Sequence, residues 1–145
     1  MQQRFETFTI LITGISRSIH RIKTEEMAEF ELKSSHVSCL YYLYKADRLT
    51  ASELCEICEE DKANISRALK QLEQGGYLAS REKRYQSPLE LTEKGREVAD
   101  KIAGKIDGIL QRAGEGLSDQ DRAIFYKGLA QIGANLQTIC EQYDA

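Results

Sequence analysis

The sequence predicts a mainly α-helical fold with one small β-hairpin, in which a compact helical core lies between two long helices. A short amphipathic helix starts at Asp61, and a capping-box pattern, Thr50-Ala-Ser-Glu53, opens a second short helix directly before it. In both the first and the last helix, apolar residues recur at alternating steps of three and four residues. This repeat, with a period of about 3.5 residues, gives each helix an apolar seam through which helices pack on one another. These patterns predict two short helices in tight succession, framed by helices that associate.

The chain has 145 residues, which suits one domain able to bury a real core. It has no basic segment ahead of a long apolar run, and no stretch approaches the roughly 20 apolar residues that span a bilayer, so we expect a cytoplasmic protein without a membrane partner. Residues 1–60 and 85–145 each hold seven Lys/Arg and ten Asp/Glu, whereas residues 61–84 hold six Lys/Arg and three Asp/Glu. A local basic footprint of +3 on an acidic body is compatible with binding to a nucleic-acid duplex.

The helix that begins at Asp61 has two unlike faces. Asp61 is suited to the N-cap position, and Gly75 and Gly76 are expected to supply the positive φ that ends the helix. The face expected to be buried consists of Ile65, Ala68, Leu69 and Leu72. The other side is small, polar or cationic, and it predicts a set of DNA-contacting residues: Lys62, Ala63, Asn64, Ser66, Arg67 and Lys70. An ordinary solvated helix face is the alternative interpretation.

Two short strands are expected after this helix. Residues 77–84 are basic with apolar residues among them, and Leu89-Glu90-Leu91 alternates, so a hairpin with its turn near residues 84–88 is predicted. Helix, turn, helix and hairpin in this order form a winged helix-turn-helix. Lys83 and Arg84 at the hairpin tip are predicted to contact the DNA backbone or a narrow minor groove.

The predicted winged helix-turn-helix and the start of the following helix have the sequence LTASELCEICEEDKANISRALKQLEQGGYLASREKRYQSPLELTEKGREVADKI. This stretch resembles the core of the MarR family of bacterial transcriptional regulators. Its LTEKGR segment is the most diagnostic part of the resemblance. The segment LKSSH followed by Cys39-Leu40 resembles the helix that leads into that core. Two departures concern the hairpin. It is a few residues shorter than is usual in the family, and Lys83 stands where an acidic residue normally precedes the tip arginine, here Arg84.

The resemblance implies one domain over residues 1–145, with a winged helix-turn-helix core at about 32–92 and dimerisation helices at about 4–30 and 93–143. It further implies a homodimer that binds a pseudo-palindromic operator in double-stranded DNA, acting as a repressor that a small-molecule effector releases. A two-fold axis places two recognition helices in successive major grooves when they are about 34 Å apart, so a change in the angle between the terminal helices would alter binding.

The terminal helices carry the predicted dimer interface. The first helix is expected over residues 4–30, a further helix over residues 93–113, and the last begins after a second capping-box pattern, Ser118-Asp-Gln-Asp121. Packing of these helices within one chain is the alternative interpretation. The interface residues are expected to be Phe5, Phe8, Ile12, Ile15, Phe125, Leu129, Ile132, Leu136 and Ile139.

Tyr41, Tyr42 and Tyr44 crowd the helix before the core, and the resemblance places His20 of the first helix nearby. Aromatic side chains at this density are the candidates for an effector pocket, although packing in the core is the favoured interpretation.

Four cysteines raise the alternative of a thiol-redox or metal-responsive regulator of the same fold. Cys55 and Cys58 have C-x-x-C spacing, but no second ligand pair accompanies them, so no metal or other cofactor is predicted. Cys39 and Cys58 are expected to be buried, Cys58 on one helix face with Ala51, Leu54 and Ile57, and Cys55 and Cys140 are expected to lie at helix edges. All four are interpreted as small apolar residues, and the sensor remains the alternative.

No catalytic motif is present: the sequence has no glycine-rich phosphate loop, no G-x-S-x-G elbow and no histidine close to paired carboxylates. An enzyme is therefore not expected. A winged helix that binds only protein is the remaining alternative, and the four cations Arg67, Lys70, Lys83 and Arg84 argue against it, because interfaces with protein favour apolar residues at such positions.

Overall fold

The computed structural model describes residues 4–58, 61–79 and 87–145, with side chains from residue 6 onward. A 3-10 turn, Ala28–Phe30, follows the first helix. The described helices are α1 (Arg4–Glu26), α2 (Ser34–Ala46), α3 (Ala51–Cys58), α4 (Lys62–Gln74), α5 (Glu93–Ala113) and α6 (Asp119–Asp144). The chain divides into two compact units, Met1–Ile106 and Asp107–Ala145. None of the described helices combines the length and the hydropathy that crossing a lipid bilayer requires.

The first helix is shorter than the sequence predicts. It was expected to run to Phe30, but α1 ends at Glu26 and the chain turns through Ala28–Phe30. Two features accompany the early end. Met27 is buried in the core with 2% of its surface exposed, and Glu31 closes the turn in the left-handed region with φ of 55°. Tertiary burial of Met27 thus overrides a continuous helical pattern.

The core of the first unit forms around α2, α3 and α4. Its most buried side chains include Val37 and Leu40 of α2, Leu54 of α3, and Ile102 of α5, each with none of its surface exposed. The face of α4 that the sequence assigns to the core is confirmed, since 4% or less of each of its four residues is exposed: Ile65, Ala68, Leu69 and Leu72. This burial fixes which side of α4 faces away from the core.

The base of the predicted hairpin is present in the described residues. Leu78 and Leu91 form an antiparallel bridge, and the Ala79 N–H donates a hydrogen bond of 2.9 Å to the Glu90 carbonyl. The Leu89 N–H donates to the Leu49 carbonyl at 2.8 Å, which joins the segment between α2 and α3 to the segment that contains Glu90 and Leu91. The hairpin tip, residues 80–86, lies outside the described residues.

The segment after the hairpin fastens it to the end of α4. Thr92 N–H donates to the Tyr77 carbonyl at 3.1 Å, and Thr92 Oγ1 donates to the Gly76 carbonyl at 2.5 Å. Lys94 Nζ donates to the Gly75 carbonyl at 2.8 Å and lies 4.5 Å from the centre of the Tyr77 ring. These contacts give Thr92 and Lys94 of the LTEKG segment a structural role, because they satisfy the carbonyls of the turn that follows α4.

Of the two glycines expected to end α4, one has positive φ. Gly76 has φ of 81°, whereas Gly75 is right-handed at −77°. The difference follows from hydrogen bonding: the Gly75 N–H still donates to the Gln71 carbonyl at 2.9 Å, which prolongs the helical turn by one residue. Reversal of the chain is therefore left to Gly76 alone.

The second unit contains the end of α5 and all of α6. Ser118 caps α6 as its pattern predicts, since Ser118 Oγ accepts a hydrogen bond of 3.1 Å from the Asp121 N–H. Arg122 Nη2 donates to the Gly114 carbonyl at 3.4 Å across the connecting turn. Within this unit no residue of α6 is buried.

Candidate nucleic-acid interface

The start of α4 is defined by a side-chain cap. Asp61 has extended backbone angles, and its Oδ1 accepts a hydrogen bond of 2.8 Å from the Asn64 N–H. This contact satisfies one of the free amides of the first turn, and the carboxylate charge is favourable at the positive end of the helix dipole. The cap that the sequence predicts is confirmed, and it places the residues from Lys62 onward in a regular helix.

The outer face of α4 is open to solvent. Six candidate DNA-contacting residues of this helix are exposed: Lys62, Ala63, Asn64, Ser66, Arg67 and Lys70. Arg67 Nη2 donates a short hydrogen bond to Asn64 Oδ1, so these two side chains run along the same side of the helix. The structure thus brings together a guanidinium, an amide, a hydroxyl and two ammonium groups on one helix surface.

A polar pair, formed by buried His36 and exposed Gln71, joins this helix to α2. His36, with 7% of its surface exposed, lies 2.7 Å through Nε2 from Gln71 Oε1, and its Nδ1 accepts a hydrogen bond of 3.2 Å from the Lys33 N–H. Nothing in the local pattern predicts the pair, since 35 residues separate its members. The available signal is a histidine inside the apolar stretch that holds Val37, Cys39 and Leu40.

The two hairpin-tip candidates, Lys83 and Arg84, lie outside the described residues. The bridge between Leu78 and Leu91 fixes where the hairpin leaves the core, directly after α4 and before α5. Contact between these cations and DNA remains a prediction.

The effector-pocket candidates occupy different environments. His20 is exposed on α1, whereas Tyr41, Tyr42 and Tyr44 are partly buried and pack against the core. Burial raises the pKa of Tyr42, with a smaller contribution from Cys58. Their role in effector binding stays a prediction.

Tyr44 connects α2 to α5. Its Oη donates a hydrogen bond of 2.5 Å to Asp100 Oδ1, and this bond is the main reason that the pKa of Tyr44 is raised. The tyrosine is therefore held in its protonated form as the donor to a carboxylate.

A cavity of about 190 Å³ lies at the base of the hairpin, and none of the four predicted effector-pocket residues lines it. Its walls come from the end of α2, the strand residues before α5 and the first turns of α5. The lining residues are Leu43, Asp47, Arg48, Pro88, Leu89, Glu90, Leu91 and Arg96.

The predicted dimer residues are placed on the two terminal helices with their side chains largely in solvent. On α1, Phe8 is half-buried, and 38% of Ile12 and 49% of Ile15 are exposed. The side chain of Phe5 lies outside the described residues. On α6, Leu129 is half-buried, and the other interface candidates are exposed: Phe125, Ile132, Leu136 and Ile139.

The cysteines depart from expectation at one position. Cys39 is buried as predicted and Cys140 is exposed, but Cys58 is half-buried rather than buried, as is Cys55. The core covers the side of α3 that carries Ala51, Leu54 and both of these thiols. Ile57, predicted on the same face, lies about 110° from its centre at 100° per residue, and 43% of its surface is exposed. Within the described residues, no group of three or more His, Cys, Asp or Glu side chains is placed to hold a metal ion.

Comparison with known proteins gives a consistent result. A model of the MarR family matches residues 30–84. The uncharacterized HTH-type transcriptional regulator YdgJ of Bacillus subtilis is 27% identical over 111 residues, which cover 74% of this chain and 68% of that protein.

Solved structures agree in fold. A MarR family transcriptional regulator from Silicibacter pomeroyi superposes with a TM-score of 0.76 at 25% identity, over 86% of each chain. A putative MarR family transcriptional regulator from Listeria monocytogenes, complexed with a 26mer DNA, superposes with a TM-score of 0.77 at 22% identity, over 86% of this chain and 85% of that one. With the capped helix, the helix before it and the hairpin base all in place, the chain has the winged-helix fold of the MarR family of transcriptional regulators and matches that family's model over residues 30–84.

Proposed function

We propose that this protein is a homodimeric repressor that binds a pseudo-palindromic site in double-stranded DNA, with α4 as the recognition helix in the major groove. The observation that carries the proposal is the division of α4 into two faces. The apolar face is buried in the core, and the face with Asn64, Ser66, Arg67 and Lys70 is exposed. A helix held in this way can enter a groove without losing its own packing.

The chemistry of the exposed face suits a DNA groove. Arginine makes bidentate hydrogen bonds to guanine, asparagine does so to adenine, and lysine contacts phosphates. The hydrogen bond between Arg67 and Asn64 leaves the remaining N–H groups of the guanidinium available as donors. The charge of +3 in residues 61–84, within a chain of net charge −3, supports attraction confined to this region.

A homodimer is supported by the apolar seams of α1 and α6. A single chain leaves Ile12, Ile15, Ile132, Leu136 and Ile139 between 38% and 51% exposed. Apolar side chains repeated along a helix at this spacing form an extended apolar surface, and such surfaces on soluble proteins mark interaction sites. A second copy of the chain supplies the matching seams, because a two-fold interface uses the same surface on both partners.

Release by a small-molecule effector is the regulatory part of the proposal. A two-fold regulator binds when its recognition helices are about one helical turn of DNA apart, so a ligand that changes their spacing lowers affinity. The half-buried Tyr41, Tyr42 and Tyr44 beside the core support an aromatic ligand near α2.

The test begins with selection of bound sequences from a pool of random duplexes, using the purified protein. Fluorescence anisotropy on an enriched duplex then compares wild type with Arg67→Ala, which is expected to lose about 1–3 kcal/mol of binding free energy and to relax sequence preference. Arg112→Ala, which removes an exposed arginine at the end of α5, is the matched control and should bind like wild type. Failure to enrich any sequence, or equal and salt-insensitive binding by all three proteins, would overturn the proposal.

A further inference from the structure

We infer that His36 is a positioning residue for DNA recognition, which fixes the rotation of α4 about its own axis through Gln71. This inference rests on the proposed function and names a residue that specificity needs although it lies in the core rather than on the DNA-facing surface.

The hydrogen bonds of His36 define its tautomer. The Lys33 N–H is a donor, so Nδ1, 3.2 Å away, accepts and carries no proton. In a neutral imidazole the proton then lies on Nε2, which donates to Gln71 Oε1 at 2.7 Å. Both ring nitrogens are therefore used, one on the backbone at the start of α2 and the other on the side chain of α4.

The hydrogen bond between His36 and Gln71 restrains a rotation of α4 about its own axis that the apolar contacts of α4 allow. Ile65, Leu69 and Leu72 are held by packing that has little directional preference, whereas a hydrogen bond weakens steeply when its geometry changes. A helix with side chains has a radius of about 5–6 Å, so a rotation of about 20° moves the side-chain ends by about 2 Å. Such a shift exceeds the tolerance of a hydrogen bond to a base edge.

The position of Gln71 makes this restraint relevant to the recognition surface. Gln71 lies one turn after Arg67 and directly after Lys70, at the border between the buried and exposed faces of α4. Fixing Gln71 relative to α2 therefore fixes the direction of Arg67. The hydrogen bond to His36 also occupies the Gln71 amide, which could otherwise form hydrogen bonds with adenine.

The experiment measures two affinities for each variant, one for the selected duplex and one for an unrelated duplex, at a temperature where circular dichroism shows every variant folded. His36→Leu and Gln71→Leu are each expected to lose affinity for the selected duplex by about tenfold, the order of one lost hydrogen bond, and to keep their affinity for the unrelated duplex. His36→Gln, whose amide can both accept and donate, should recover most of the loss.

The double variant His36→Leu/Gln71→Leu separates this role from direct base contact by Gln71. If the two residues act as one unit, the double variant loses no more than either single variant. Additive losses would show that Gln71 acts on DNA independently of His36 and would overturn the inference. The inference would also be overturned if the single variants lost the same affinity for both duplexes, or if their ratio of affinities for the selected and the unrelated duplex equalled that of wild type.

A measurement without DNA distinguishes failure of the inference from failure of the proposed function. The chain has two histidines, and exposed His20 serves as the internal reference for the imidazole nitrogen spectrum of His36. The Nε2–H tautomer is expected for His36 in wild type, with a clear change in its Nε2 signal in Gln71→Leu. If His36 of the wild-type protein lacks the Nε2–H tautomer, the inference is overturned whatever the protein binds. If the tautomer is present but the wild-type protein shows no preference for any DNA sequence, the proposed function is overturned, and with it the inference that depends on it.

Discussion

At the scale of single residues, Gly95 explains why a glycine follows Thr-Glu-Lys at the start of α5. Its N–H donates to Thr92 Oγ1 at 3.0 Å, and a Cβ at this position would lie 1.9 Å from the Tyr77 carbonyl oxygen. No side chain can be accommodated at that distance unless the backbone moves. The first turn of α5 therefore lies directly against the strand that leaves α4, and the absence of a side chain allows it.

Gly95→Ala is expected to destabilise the protein by about 1–3 kcal/mol or more, because the added methyl group displaces backbone rather than a flexible side chain. Gly104→Ala, on the same helix, is the control. Nothing lies within 4 Å of a Cβ at Gly104, so alanine should be neutral or should stabilise by up to about 1 kcal/mol through helix propensity. Urea unfolding of the three proteins at one concentration measures the difference, and equal destabilisation by both variants would contradict the close approach at Gly95.

At the scale of elements, α4 combines local and long-range supports. Its start depends on Asp61, its buried face on α2 and α3, and the turn that follows it on hydrogen bonds from Thr92 and Lys94. Each support acts on a different part of the helix. The exposed candidate residues are thus presented by a helix that is restrained at both ends.

Asp61→Ala should cost about 1 kcal/mol of stability, because the Asn64 N–H loses its acceptor. Asp61→Asn is the matched variant: its side-chain oxygen can accept the same hydrogen bond, so most of the stability should remain, apart from the small contribution of charge to the helix dipole. Thermal unfolding without DNA is the appropriate measurement, since Asp61 lies close to the proposed binding surface. Equal melting temperatures for Asp61→Ala and wild type would show that the cap contributes nothing.

At the scale of the whole molecule, α6 has no buried residue within the described chain. It is 26 residues long, and its seam from Phe125 to Tyr143 is exposed or half-buried in the single chain. A helix of this length gains most of its stability from packing of its apolar face. In the proposed homodimer, that packing comes from the second copy.

Ile132→Asp should therefore weaken the dimer by about 3 kcal/mol or more, since a carboxylate would be buried without a partner. Ala130→Asp is the control, because Ala130 lies about 160° from Ile132 around the helix and is also exposed. Light scattering and sedimentation should show monomers for Ile132→Asp and dimers for Ala130→Asp. An unchanged dimer in both would assign the seam of α6 to some other contact.

The sequence by itself determined the features whose physical cause is local. The cap at Asp61 needs an oxygen within three residues of a free amide, and the two faces of α4 need a repeat of about 3.6 residues, so both can be predicted from neighbouring positions. The capping box at Thr50, the N-cap at Ser118 and the bounds of α5 follow for the same reason. Most of the helical framework and the exposed candidate face of α4 were thus predictable.

The tertiary structure alone decided the features that depend on residues far apart in sequence. Burial of Met27 ended α1 before Phe30, and the position of the core on α3 left Ile57 in solvent. The pairing of His36 with Gln71 and the contact of Gly95 with Tyr77 arise from distances between elements, which no spacing along one element encodes. The physical reason is that periodicity fixes which face of a helix is apolar, whereas the neighbours that cover this face fix where each helix ends and how it is oriented.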